Sequence, residues 1–490
     1  TIYATLTDKA NNSTSTSDPD CLVIDNTLPT LQVFSGDINV IYRAGTASLI
    51  VYYTYTELYP ATLTLTIASG TTEATSTMIT TLTGGPNVSG SATLYWYGQP
   101  SGTYTIYATL TDTVGNGTQT SDPDCLIIDN TNPILAITSP SVITYKQGTG
   151  TLTIYYTYTE LYPQTLTLTI ASGTTQATET IISVSIGGTD IPGNVTVNWT
   201  DAIQGTYTIY GTLTDLAGNQ GLASMPDIVI IDTTTPTLEV FSGDINVIYK
   251  AGTASLIVYY TYTELYPATL TLTIASGTTI ATETTIITGL TSGTDQTGNV
   301  TLYWTNATSG TYTIYATLTD KANNSTSTSD SDCLVIDNTL PTLQVYSGQD
   351  AIYYKQGTES LTIYYTYTEL YPQTLTLTIA SGTTIATETT IITGLTGGVN
   401  QSGNVALYWY GQPSGTYTIY ATLTDTVGNG TSTSDSDCLI IDNLNPDLVI
   451  TSPSVITYKQ GTDTLVISYT YTELYPQTLT LTIASGTTQA

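Results

Sequence analysis

Carboxylates are the only reactive side chains that this sequence of 490 residues supplies in number. There are 38 Asp and Glu against seven Lys and Arg, a formal charge of −31, and no histidine. The usual general bases and metal-binding imidazoles are therefore missing. The acids recur instead of clustering once. Glu57, Glu160, Glu264, Glu369 and Glu473 each stand in the hexapeptide Tyr-Thr-Glu-Leu-Tyr-Pro, at intervals of about 104 residues. Asp112, Asp215, Asp320 and Asp425 follow with the same period, and Asp25, Asp129, Asp232 and Asp337 precede them in short linkers. A catalytic site is normally built once on a scaffold, so carboxylates repeated in every unit argue against an enzyme. So acidic a surface repels phosphate backbones, which excludes nucleic acid as a partner. No apolar run approaches the roughly 18 residues of a membrane span, so no membrane insertion is expected.

The elements that position these acids follow from the period, which is the length of one ordinary domain. A proline after each linker marks it again at Pro29, Pro133, Pro236, Pro341 and Pro446. Four complete repeats are expected, at 29–132, 133–235, 236–340 and 341–445, with one Trp each (Trp96, Trp199, Trp304, Trp409). Residues 1–28 read as the C-terminal part of a repeat and 446–490 as the N-terminal part of another. With no initiator Met or leader, the chain reads as a window onto a longer polypeptide.

Strict alternation, as in Thr62-Leu63-Thr64-Leu65-Thr66-Ile67, predicts strands, and no helical period appears. In the first complete repeat they are expected at about 30–35, 48–56, 61–68, 73–82, 91–97, 103–111 and 124–128. Seven short strands in a hundred residues predict an all-β fold of tandem Ig-like, seven-stranded β-sandwich repeats. Comparing repeats fixes the register. Leu49, Val51, Tyr53 and Tyr55 correspond to Leu152, Ile154, Tyr156 and Tyr158, whereas Ile50 becomes Thr153, so the tolerant position faces out. By the same rule Tyr104, Ile106, Ala108 and Leu110 face in, beside Leu94 and Trp96. Tyr104 opens its strand where a tyrosine-corner residue sits.

Asp112-Thr113-Val114-Gly115-Asn116, then a closing strand, then Asp129-Asn130-Thr131-Asn132-Pro133 resembles the ending of bacterial Ig-like repeat domains. The pattern returns at 215–219 with 232–236 and at 425–429 with 442–446, although Asp8 and Asp320 lead into Ala-Asn-Asn instead of Gly-Asn. The resemblance implies extender repeats of giant extracellular adhesins or surface fibres. It makes this chain the structural repeat region of an extracellular, cell-surface filament, continuous end to end and with lateral contacts between neighbouring copies. The alternative is an inert adhesin stalk that projects a ligand-binding tip lying outside this window.

In an Ig-type sandwich the loop after the second strand, the loop after the sixth and the entering linker lie at one end. Three carboxylates should therefore meet at each junction: Asp25, Glu57 and Asp112; Asp129, Glu160 and Asp215; Asp232, Glu264 and Asp320; Asp337, Glu369 and Asp425. Hard oxygen donors of this kind suit calcium. The competing reading is that each Asp closes an Asx-turn and each Glu holds nearby amides, with no metal. Asp18, Asp20, Asp122 and Asp124, at the start of the last strand, either extend the carboxylate site or decorate a solvated loop, and the loop reading is favoured.

Three further features read as structure. Cys21, Cys125, Cys333 and Cys438 share one position per repeat, and Ile228 replaces them in the second, which fits a small buried apolar side chain. Lys146, Lys250, Lys355 and Lys459 stand before the second strand as in domains closed by an isopeptide bond. Arg43 at that position cannot form one, so a surface cation is expected. The Thr rows suit solvated strands. Sequons such as Asn87, Asn194, Asn299 and Asn306 permit glycans on Asn without indicating them. Tyrosine outnumbers phenylalanine by 40 to 2. Tyr52 and Tyr107 are expected to point outward, either for lateral packing between chains or as a scattered hydrated surface.

Overall fold

The computed structural model of the chain describes residues 1–36, 40–243, 246–347, 353–385, 389–485 and 488–489. Its elements are strands throughout, and it divides into two compact units. One comprises Thr1–Pro236 with Tyr266–Ala268 and Thr319–Ser325; the other comprises Thr237–Leu265, Thr269–Leu318 and Thr326–Ala490.

The first unit begins with an antiparallel hairpin, β1 (Ile2–Thr7) and β2 (Ser13–Asp18). The first complete repeat then runs through β3 (Thr30–Phe34), β4 (Ile41–Arg43), β5 (Ser48–Glu57), β6 (Pro60–Ser69), β7 (Thr72–Ile79), β8 (Gly85–Tyr95), β9 (Gly102–Asp112) and β10 (Gly117–Ile128). Two sheets result, one of three strands in the order β3-β5-β8 and one of five in the order β4-β10-β9-β6-β7. The hexapeptide around Glu57 is where the chain leaves one sheet and Pro60 begins the other.

The alternation seen in the sequence is the alternation of burial. Leu49, Val51, Tyr53 and Tyr55 are buried, as are Leu63, Leu65 and Ile67, Leu94 and Trp96, and Tyr104, Ile106, Ala108 and Leu110. Both sheets contribute their inner faces to a single apolar core. The Tyr104 hydroxyl donates to the Pro100 carbonyl (3.0 Å), and Tyr207, Tyr312 and Tyr417 bond the carbonyl four residues upstream in the same way. Buried rings thus keep their polar tips satisfied at the strand entrance.

Three details differ from the sequence expectation. β4 is an additional short strand; it pairs parallel with the end of β10, Ile41 against Leu126. Three residues are too few to show a period. β8 and β10 begin several residues earlier than expected, because their first halves pair through Gly, Ser, Thr and Asp, which carry no apolar alternation. β10 also contains a bulge between Asp122 and Leu126, with Asp124 at φ 50°. Asp122 is more than a solvated loop residue: its Oδ2 accepts the Ser35 N–H at 3.0 Å and ties the end of β3 to β10.

The second complete repeat follows the same plan, with Ile134–Ser139, Gly150–Glu160 and Gly188–Trp199 in its three-stranded sheet. In the second unit, Thr342–Tyr346, Ser360–Glu369 and Gly398–Tyr408 form the corresponding sheet of the fourth repeat. Cys125, Cys333 and Cys438 are buried and unpaired. Ile228 packs against the core at the equivalent place, so this position is apolar filling. Arg43 is exposed; the side chain of Lys355 lies outside the described residues.

Candidate metal centres

Each candidate centre starts from a turn that the sequence closes by itself. β9 ends at Asp112, and its Oδ1 accepts the N–H groups of Val114 (2.9 Å), Gly115 (2.7 Å) and Asn116 (2.8 Å). Gly115 lies at φ 101°, a conformation that side chains rarely adopt. Asn116 Nδ2 donates to Asp112 Oδ2 at 2.7 Å and to the Asp25 carbonyl at 3.2 Å. The turn therefore grips the linker that enters the repeat. Burial works to raise the Asp112 carboxyl, and the hydrogen bonds from Asn116, Val114 and Gly115 outweigh it and hold it below the usual range.

The same grip recurs. Asn219 Nδ2 bonds Asp215 Oδ2 (2.8 Å) and the Asp129 carbonyl (3.0 Å). Asn324 joins Asp320 to the Asp232 carbonyl, and Asn429 joins Asp425 to the Asp337 carbonyl. Sequence reasoning gave this asparagine no role, although its recurrence at the end of every such turn was the available signal.

The linker Asp and the hexapeptide Glu complete the arrangement. Asp25 and Asp129 accept the N–H two residues on at 2.9 Å, and Glu57 and Glu160 accept those of Tyr59 and Tyr162 at 2.8 Å. These are the turn-closing bonds of the metal-free reading, and they are all present. They engage one oxygen of each of these Asp and Glu side chains. Within the first unit, Asp25, Glu57 and Asp112 each place an oxygen within 4.8 Å of the others, and so do Asp129, Glu160 and Asp215; within the second unit Asp337, Glu369 and Asp425 do the same. Of these nine carboxylates only Asp25 is less than fully buried. The remaining set divides between the units, Asp232 and Asp320 in the first and Glu264 in the second, and each is buried.

Carboxylates this close repel one another in a low dielectric, and a counter-charge between them would relieve that repulsion. Burial pushes the Glu160 carboxyl up, and the charges of Asp129 and Asp215 add to that against the opposing Tyr162 N–H; Glu369 is raised likewise, with Asp337 and Asp425 beside it. Asp232 Oδ2 is buried and receives no hydrogen bond from the described residues. Carboxylate oxygens held in this way, one of them left without a donor, fit a hard divalent cation. Gly84 and Gly187 keep the backbone close here: a Cβ on either would fall 2.0 Å from the carbonyl of Leu58 or Leu161, the residue after the Glu.

A second contact joins consecutive repeats and was not foreseen. The Tyr42 ring of β4 meets that of Tyr162 at 5.0 Å between centroids, tilted by 56°. Tyr249 meets Tyr371 at 4.9 Å and Tyr354 meets Tyr475 at 5.1 Å, with similar tilts. Tyr162 is the residue whose N–H is held by Glu160, and its carbonyl accepts the Leu216 N–H. The carboxylate set and the aromatic contact therefore share one backbone segment.

The sequence model of the bacterial Ig-like domain (group 3) matches residues 92–210 and 296–396. No curated protein matches the sequence. Among solved structures, the tetra-tandem repeat in the extending region of a large adhesion protein is similar at 19% identity; it covers 84% of this chain and 99% of its own, with a TM-score of 0.38. Fibronectin(III)-like modules of Clostridium thermocellum CbhA are similar at 15% identity over 42% of this chain and 94% of theirs, TM-score 0.24. Salmonella alpha-2-macroglobulin is similar at 10% identity over 86% of this chain and 32% of its own, TM-score 0.21. Two stretches of the chain thus match the bacterial Ig-like domain model, and the complete repeats share their strands and turn motifs with one another.

Proposed function

We propose that this chain is the non-catalytic, structural repeat region of an extracellular surface fibre, and that calcium ions held by the carboxylate sets stiffen the joints between its repeats. One observation carries the reading: each of the three sets that lie within one unit draws its first Asp from the end of one repeat and its Glu and second Asp from the next. An ion bound there would tie consecutive repeats together, and the charge it supplies would relieve three buried acids at once. The prolines that follow the linker Asp residues support it, since Pro fixes its own backbone and restricts the residue before it. Near-identical stretches such as 34–72 in the first repeat and 241–279 in the third favour selection for length over a separate task in each domain. Neighbouring copies of the same chain are the partners this reading expects.

Small-angle scattering of the whole chain, first with calcium and then with excess chelator, tests the joint. The expected result is a scattering curve that changes on chelation toward a more flexible particle and is restored by calcium. An identical curve in both conditions would leave the carboxylates as turn residues.

A further inference from the structure

Two of the carboxylate sets lie between complete repeats of one unit, and each is fastened from both sides by a tyrosine. On one side stands the short strand that pairs with the last strand of a repeat. The Arg43 carbonyl, one residue after Tyr42, accepts the Asp129 N–H at 2.9 Å, and the Lys250 carbonyl, one residue after Tyr249, accepts that of Asp337 at 2.9 Å. On the other side Tyr162 donates its N–H to Glu160 Oε1 (2.8 Å), and its carbonyl accepts the N–H of Leu216, the residue after Asp215, at 2.9 Å. Tyr371 does the same for Glu369 (2.9 Å) and for Thr426, the residue after Asp425 (3.0 Å). The rings then close the circuit, Tyr42 on Tyr162 at 5.0 Å and Tyr249 on Tyr371 at 4.9 Å, both tilted by 56°. All four rings are half-buried.

The third set within one unit, Asp25, Glu57 and Asp112, lacks this closure. Tyr59 keeps the backbone place, donating to Glu57 Oε1 at 2.8 Å and accepting the Thr113 N–H at 3.0 Å. Residues 1–28 correspond to 105–132, however, so the chain holds no equivalent of Tyr42 ahead of Tyr59. The set without a ring pair is also the one whose linker Asp stays partly exposed.

We infer that Tyr42 with Tyr162, and Tyr249 with Tyr371, are positioning residues of the calcium sites: each ring contact holds the linker Asp of one repeat where it can share an ion with the Glu and Asp of the next. The inference rests on the calcium reading of the joint and adds what sets its affinity. Without the contact, an ion must draw together carboxylates carried by two repeats and hold them there. With it, that ordering is complete before the ion arrives. Contact and ion strengthen each other, because a coupling between two binding events is reciprocal. Rings suit the task, since they associate without adding a charge to a site that already holds three carboxylates.

Calcium titration calorimetry of the whole chain tests this with the variant Tyr42→Thr, Tyr249→Thr, which removes one ring of each pair and keeps β-forming residues in the short strands. The dissociation constants of the sites at Glu160 and Glu369 should rise about three- to tenfold, the worth of one aromatic pair, with the number of ions unchanged. The variant Tyr42→Phe, Tyr249→Phe keeps the rings and should stay within about twofold of wild type. A second measurement leaves every ring in place: Glu57→Gln should remove the weakest-bound ion of the wild type, and Glu160→Gln a tighter one. Thr variants that bind as tightly as wild type, Phe variants that weaken binding as much as Thr, or a Glu57→Gln chain that loses a tight ion would overturn the inference and leave the calcium joint standing. A wild type without binding heat would remove the calcium reading, and this inference with it.

Discussion

Residues 1–29 and 313–341 are the same sequence apart from Pro19 in place of Ser331, yet they end in different environments. In the third repeat Ile314, Leu318, Leu334 and Ile336 are completely buried. In the N-terminal copy their equivalents Ile2, Leu6, Leu22 and Ile24 are 58–77% exposed. What survives without a sandwich is the local part. β1 and β2 still pair, and Asp8 still closes its turn, Oδ1 accepting the Ala10 and Asn12 N–H groups at 2.8 and 2.9 Å. What is lost is the final strand, since Cys21–Ile24 is extended in neither sheet, whereas Cys333–Ile336 lies in one. In the complete repeat the last strand runs beside a parallel neighbour, as β10 does beside β4, and covers a core.

The largest expected difference between the two copies is in the core. Ile336→Ala should cost about 2–5 kcal/mol in chemical denaturation of the third repeat, through lost burial and a cavity. Ile24→Ala, at the exposed equivalent, should stay within about 0.5 kcal/mol. Equal effects would mean that the N-terminal copy is packed in solution. Next comes the grip on the linker. Asn429→Ala removes the side chain that joins Asp425 to the Asp337 carbonyl and should cost about 1–2 kcal/mol, whereas Asn12→Ala, whose side chain among the described residues bonds only to its own turn, should cost less than half of that.

A third contrast is chemical. Burial pushes the Cys125 thiol from its ordinary value of 9.0 up to about 12, and those of Cys333 and Cys438 up to about 11, while Cys21 is exposed. A thiol reagent at pH 8 should therefore modify one cysteine quickly in the native chain and four in denaturant. The pH effect has a definite sign. Above about 9 the unfolded chain ionises these thiols and binds fewer protons than the folded one, so stability falls as pH rises. Their contribution is complete below pH 9 and fades through 11 to 12. Replacing Cys125, Cys333 and Cys438 by Ile, as the second repeat does at Ile228, should make that decline shallower and leave the part due to buried tyrosines such as Tyr53, Tyr104 and Tyr156, whose hydroxyls burial also pushes up.

The division between local and non-local structure also explains what the sequence made legible. Register, inward faces and the tyrosine corner follow from alternation and from comparing repeats, and the meeting of Asp25, Glu57 and Asp112 follows from the strand order of an Ig-type sandwich. β4 was not legible because three residues carry no period. The tie between Asp122 and Ser35 and the contact between Tyr42 and Tyr162 were missed because each joins segments far apart in sequence, and recurrence of a residue with the period does not say what it meets. Asn116 is intermediate: its bond to Asp112 is turn chemistry, but its bond to the Asp25 carbonyl exists only once the linker is docked.

Calcium titration calorimetry on the whole chain, beside a Glu160→Gln, Glu369→Gln variant, addresses the central claim most directly. Wild type should bind calcium with saturable heat, and the variant should lose two ions per chain while keeping its β-sheet circular dichroism. Absence of binding heat in wild type, or an unchanged stoichiometry in the variant, would show that the carboxylate sets close turns and hold no metal.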